Sequence, residues 1–173
     1  MRNTLLQSLF RQKAAITEEF FVVLDTVAAE GRVDAIRLMN HIHIVDRIFA
    51  AHLRGEPHGF DATNTPETPA LEALRLAVRE TDRWFVEQAG ALTPAQLAET
   101  VAFTFTDGQS GRMSREEMLA HVVTHGSYHR GELGQMLKRL SVAPPRDLFT
   151  AYLHHAEPQR RGPSLGAGTF NSM

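Results

Sequence analysis

Four stretches of this chain repeat apolar residues every three to four positions, the spacing that lines one side of an α-helix. The first, residues 3–29, aligns Leu5, Leu6, Leu9, Ile16, Phe20, Val23, Leu24 and Val27, with Gly31 as a stop. The second, residues 33–54, ends before Gly55 and Pro57. The third, residues 69–90, opens at Pro69, closes at Gly90 and turns Leu71, Leu74, Val78, Phe85 and Trp84 inward. The fourth runs from Ser114 to Leu140. There Ser114 and Glu117 form a capping box, Glu116 and Glu117 suit the positive end of the helix dipole, and Lys138 and Arg139 suit the negative end. Amphipathic segments of about 22–27 residues must bury their apolar faces against one another, and the expected fold is an all-α four-helix bundle.

The connections refine this expectation. Residues 56–68, EPHGFDATNTPET, can span about 43 Å extended, so the second and third helices need not form a simple antiparallel hairpin. Thr93 and Pro94 open a short helical turn. Val101, Phe103 and Phe105 then alternate with Ala102, Thr104 and Thr106 ahead of Asp107-Gly108, a β-hairpin signal just before the fourth helix. A structured connection of this length forms a rim or lid over a site, or a plain flap. After Pro144 and Pro145, residues 146–156 read as a short final helix. The chain divides into a single domain, residues 1–156, and a flexible Gly- and Ser-rich tail, residues 157–173.

Composition excludes several classes of function. Eighteen basic and 20 acidic residues leave a net charge of −2, with no basic excess for nucleic acid. No apolar run approaches a membrane span, and Gln7, Arg11 and Gln12 interrupt any signal-peptide core, so a cytoplasmic protein is expected. Cysteine is absent, which removes disulfides, thiolate ligands and a cysteine nucleophile. No GxGxxG or P-loop pattern points to a nucleotide.

Histidine is where the chemistry concentrates. His121, His125 and His129 lie four residues apart on the fourth segment, hence on one helix stripe. The second segment adds three more. His41 sits among Leu38, Ile44, Val45 and Ile48 and faces the core; His43 sits among Met39, Asn40, Asp46 and Arg47 and is expected to face solvent. His52 shares the stripe of His41 but lies about 16 Å further along the axis, too far to share an ion. Metal sites in bundles form near mid-height, where His41, His125 and His129 lie whichever way the two helices run. That selects these three, with His121 as a reserve ligand or a substrate-contacting group. Three neutral imidazoles suit Zn²⁺, Ni²⁺, Fe²⁺ or Co²⁺, and three protein ligands leave a coordination position open. The competing reading makes the histidines ordinary core residues. Gly126, Gly131 and Gly134 interrupt the same helix, either as points of close approach or as tolerated glycines. Arg130 orients an anion or forms a salt bridge, and Tyr128 donates a proton or packs, packing and the salt bridge being favoured.

The run THGSYHRGEL, Thr124 to Leu133, resembles the H-x-x-x-H-R-G-Q signature of the DinB-like (YfiT-like) family. Leu38-Met39-Asn40-His41-Ile42 is similar to that family's first-histidine segment, and Pro144-Pro145-Arg146-Asp147 with Tyr152-Leu153 to its C-terminal end. The resemblance implies an up-down-down-up bundle, a divalent metal (often nickel or zinc) on His41, His125 and His129, and a homodimer. It also implies thiol-dependent transfer or isomerisation with a low-molecular-weight thiol, whose sulfur must come from a small-molecule substrate because the chain has no cysteine. Metal-assisted hydrolysis is the other enzymatic possibility, and a non-catalytic, stress-associated metal-binding protein the alternative. The chain departs from the family pattern at Glu132, a carboxylate one turn from His129 that can hold its imidazole from behind.

Overall fold

The computed structural model describes residues 4–162, so the expected tail falls outside the described residues from position 163 onward. Six α-helices and one two-stranded antiparallel sheet account for the regular structure: α1 (Leu5–Asp25), α2 (Val33–Arg54), α3 (Leu71–Ala91), α4 (Pro94–Leu97), β1 (Thr100–Thr104), β2 (Ser110–Ser114), α5 (Arg115–Arg139) and α6 (Phe149–Ala156). Helix α1 packs along α3 and α2 along α5, with further contacts between α1 and α5 and between α2 and α3. No helix among the described residues is long and apolar enough to cross a membrane.

Local chemistry sets the boundaries. Thr4 caps α1 by accepting from the Gln7 N–H, while α1 stops at Asp25, earlier than its apolar repeat suggests, because Thr26 turns its hydroxyl back onto the Val23 carbonyl. Gly31 falls in a 3₁₀ turn, Glu30–Arg32, that leads straight into α2. Helix α2 ends at Gly55 in the left-handed conformation (φ 71°), which a glycine adopts without strain. Ser114 and Glu117 form their capping box at the head of α5, and Thr93 with Gln96 repeats the motif at α4. The hairpin closes through a turn with Gly108 at φ 86°, and its register sets Phe103 opposite Gly111. Helix α6 begins at Phe149 rather than Arg146, and a 3₁₀ turn, Pro158–Arg160, follows it.

Two apolar clusters fill the interior. One gathers Phe20, Phe21, Leu24, Ile36, Met39, Leu74, Val78, Leu133 and Leu137; the other gathers Phe10, Phe49, Phe85, Phe103, Met118, Leu119 and Val122. A polar layer lies between them. Lys13, with 1% of its surface exposed, reaches Asp46 on α2 at 2.7 Å and Asp82 on α3. Burial by itself would lower the Lys13 pKa, but the two carboxylates raise it. Asp46, buried and sharing one ammonium with Asp82, is pushed up to about 6 by burial against the pull of Lys13. On α5, Arg130 is equally buried and pairs with Asp147 at 2.8 Å, and Asp147 also accepts from Gln12 of α1. The salt-bridge reading of Arg130 therefore holds, inside the protein rather than on its surface.

One expectation is overturned and two are refined. His43 does not face solvent: it is 5% exposed, with Nε2 3.1 Å from Thr81 Oγ1, and burial lowers its pKa to about 4. Its polar neighbours Asn40 and Asp46 are themselves buried and paired, so they mark an interior polar layer and not a wet face. Trp84 is only half-buried: one side packs on Phe85 and the guanidinium of Arg54 lies over the ring at 4.9 Å. Of the three α5 glycines, Gly126 is a point of close approach, since a Cβ there would lie 2.9 Å from Arg130 Nη1 and 3.4 Å from Lys13 Cε. Gly134 faces Pro144, whereas Gly131 meets nothing within 4 Å.

Lys13→Met should cost about 3–5 kcal/mol in urea unfolding, because two buried carboxylates lose their cation; a loss below about 1 kcal/mol would remove the network from the centre of the fold. Glu18 ties α1 to α3 through Arg79 and Arg75, and hydrogen bonding from Arg79, then from Arg75, outweighs burial to hold its pKa near 2 instead of 4.5. A depressed carboxylate stabilises the fold above its unfolded pKa and ceases to do so as pH falls through the folded one. Glu18→Gln should therefore flatten the decline of the thermal midpoint between pH 4.5 and 2, and an unchanged decline would dismiss the tie.

Candidate metal centre

The packing of α2 against α5 brings His41 level with His125 and His129. His41 Nε2 lies 3.2 Å from His129 Nε2 and 3.2 Å from His125 Nε2, and one nitrogen from each of the three rings falls within 4.8 Å of the others. All three histidines are half-buried.

The groups behind the rings decide what these nitrogens offer. His41 Nδ1 lies 2.8 Å from the Thr63 carbonyl, which only accepts, so Nδ1 carries the proton. His129 Nδ1 lies 2.6 Å from a Glu132 carboxylate oxygen and carries its proton for the same reason. Both Nε2 atoms are then bare lone pairs facing each other at a distance where neither donates. A cation between them resolves that repulsion. Tetrahedral coordination at about 2.0–2.1 Å places ligand nitrogens about 3.3–3.4 Å apart, close to the 3.2 Å from His41 Nε2 to each of the other two. His125 Nδ1 is buried and has no hydrogen-bond partner among the described residues, so nothing pins its tautomer against offering Nε2 as a third lone pair. Burial first, then the neighbouring imidazoles of His129 and His41, lowers the His125 pKa to about 3 and keeps it neutral at physiological pH. Metal ligands must be deprotonated, and this ring already is. The residues present fit a divalent cation.

His121 does not join the three. Its ring stacks on Phe49 at 4.5 Å and on His125 at 5.5 Å, forming a wall beside the centre. Phe49 in turn meets Phe103 of the hairpin, and His52 packs against Phe103 and His58. The hairpin thus buttresses the wall from behind, and the segment that reaches the imidazoles is the α2–α3 connection, through Thr63. Tyr128 does not pack away: it is 68% exposed, edge-on to His129 with ring centroids 5.0 Å apart. A cavity of about 380 Å³ behind α5, lined by Gln12, Arg130, Gly134 and Pro144 among others, lies on the face away from the imidazoles.

Sequence reasoning missed the Thr63 carbonyl, because backbone leaves no residue-type signal. It also missed Lys13 and Asp82, although each interrupts the apolar stripe of its own helix, between Phe10 and Ile16 and between Val78 and Phe85.

A helical protein whose α2 and α5 bring three imidazoles together, with His41 and His129 held from behind by hydrogen bonds, is a candidate metal-binding protein. Comparison with known protein families matches the DinB family over residues 10–162, and the chain belongs to that family. No curated protein matches it.

Glu132→Ala should weaken Ni²⁺ or Zn²⁺ binding about 10- to 100-fold in competition with a chromophoric chelator, with Glu132→Gln recovering part of the loss through its amide oxygen. Equal affinity in all three proteins would show that the carboxylate does not support His129.

Proposed function

We propose that His41, His125 and His129 hold a divalent cation, nickel or zinc ahead of iron or cobalt, and that the protein is a metal-dependent enzyme of thiol S-transferase or hydrolase type. The observation that carries this reading is the pair of facing lone pairs at 3.2 Å, each aimed by a hydrogen bond on the opposite side of its ring. Membership of the DinB family and the partial exposure of the imidazoles support it. The finer architecture belongs to the same reading: a four-helix bundle of up-down-down-up order, for which the pairwise packing of α1, α2, α3 and α5 and the long connection after α2 speak.

A bound cation lowers the pKa of a thiol or water that it coordinates and so supplies a nucleophile at neutral pH. The protein's own contribution is to orient and enclose. The chain contains no cysteine, so a transferred sulfur belongs to a small-molecule thiol. The stacked rings of His121 and Phe49 wall one side of the centre. Tyr128 is exposed and lies edge-on to His129. Arg130 pairs with Asp147 and Ser127 and lines the cavity behind α5 rather than the metal centre.

The test is elemental analysis of purified, tag-free protein, followed by titration of the metal-free form with Ni²⁺ and Zn²⁺. About one equivalent per chain is expected, lost in His41→Ala, His125→Ala and His129→Ala and kept in His43→Ala and His121→Ala. Metal retained by His41→Ala would sink the ligand set, and no uptake by the unaltered protein would return the imidazoles to the role of core residues.

A further inference from the structure

The α2–α3 connection contains a cluster of polar contacts that the metal reading does not by itself require. Asn40, buried and next in sequence to His41, donates from Nδ2 to Asn64 Oδ1 at 2.6 Å and to Thr65 Oγ1 at 2.7 Å. Asn64 Oδ1 also accepts from the Thr65 N–H at 2.9 Å, and Asn64 Nδ2 donates to the Arg37 carbonyl at 3.0 Å. In helix α2 the Arg37 carbonyl is four residues before His41 and accepts the His41 N–H. Asn64 therefore binds the helical turn that carries His41, while the residue before it, Thr63, supplies the carbonyl that holds the His41 ring at 2.8 Å. One side chain closes a circuit from the ligand's backbone to the group behind the ligand's imidazole.

We propose that Asn64 is a positioning residue for the metal centre, acting through the Thr63 carbonyl to keep the proton of His41 on Nδ1 and its Nε2 lone pair aimed at the cation. The claim rests on the metal reading above. It separates Asn64 from the rest of the clamp: Arg37 also grips the connection, through the Pro66 and Thr65 carbonyls and Thr68 Oγ1, but none of those contacts bears on Thr63. Loosening the connection at Arg37 and releasing it at Asn64 should thus have different consequences for the same ring.

Two measurements on the full chain decide it: Ni²⁺ affinity, with the visible spectrum of the Co²⁺ form alongside, and the ¹⁵N signals of the His41 imidazole in metal-free protein at pH 8. Asn64→Ala should lower Ni²⁺ affinity about ten-fold or more, shift the Co²⁺ bands and lose the Nδ1–H tautomer. Arg37→Ala should retain all three. Wild-type affinity and an intact Nδ1–H tautomer in Asn64→Ala would overturn the proposal. So would equal losses in Asn64→Ala and Arg37→Ala with the His41 tautomer unchanged, since that is general loosening of the connection. If the unaltered protein takes up no Ni²⁺, the metal reading fails on its own account. The imidazole spectra then decide alone: an Nδ1–H tautomer that survives Asn64→Ala overturns the positioning role, and one that is lost supports it.

Discussion

A single ammonium group sets the level at which the long helices of this protein meet. Lys13 of α1 lies between Asp46 of α2 and Asp82 of α3, with Arg130 of α5 a short step away beyond the bare backbone of Gly126. Apolar contacts tolerate a helix sliding by part of a turn, since one leucine serves nearly as well as the next. A buried cation with two buried carboxylates does not, because each displaced charge loses its partner in a medium that solvates it poorly. The polar layer separates the two apolar clusters and holds the helices in one longitudinal register. His125 lies beside that level on α5 and His41 about a turn and a half before Asp46 on α2, so the contact that fixes the register also bears on which imidazoles meet.

Much of this could be read from the chain before any coordinates. The periodicity of α2 located its boundaries to the residue, the Ser114 and Glu117 box located the start of α5, and the Asp107-Gly108 pair located the hairpin turn. The mid-height argument chose the three histidines that the fold brings together, and the position of Glu132 gave its contact with His129. What escaped was of two kinds. Polar residues inside an apolar stripe look like a wet face until their partners on other helices are known, which is why the sequence suggests solvent for His43, whose neighbours Asn40 and Asp46 are in fact buried and paired. Backbone groups have no signature at all, so the carbonyl behind His41 was invisible.

Helix α5 shows how one segment serves two faces. Its imidazoles turn toward α2, while Gly126, Arg130 and Gly134 turn toward α1 and the proline segment that follows. Gly126 leaves room for the Arg130 guanidinium and the Lys13 stem and Gly134 for Pro144, and the capping box at the head of the helix offsets part of the intrinsic cost of these glycines.

The carbonyl behind His41 belongs to the main chain, and any amino acid at position 63 would supply the same oxygen. The candidate metal centre is consequently indifferent to side-chain identity at one of its supporting points and sensitive there to chain length. Inserting or deleting a residue between Gly55 and Asn64 would shift the oxygen along the path of the connection while leaving every ligand in place. If the three imidazoles hold a cation, loop length is thus a means of tuning its affinity that needs no change to the histidines.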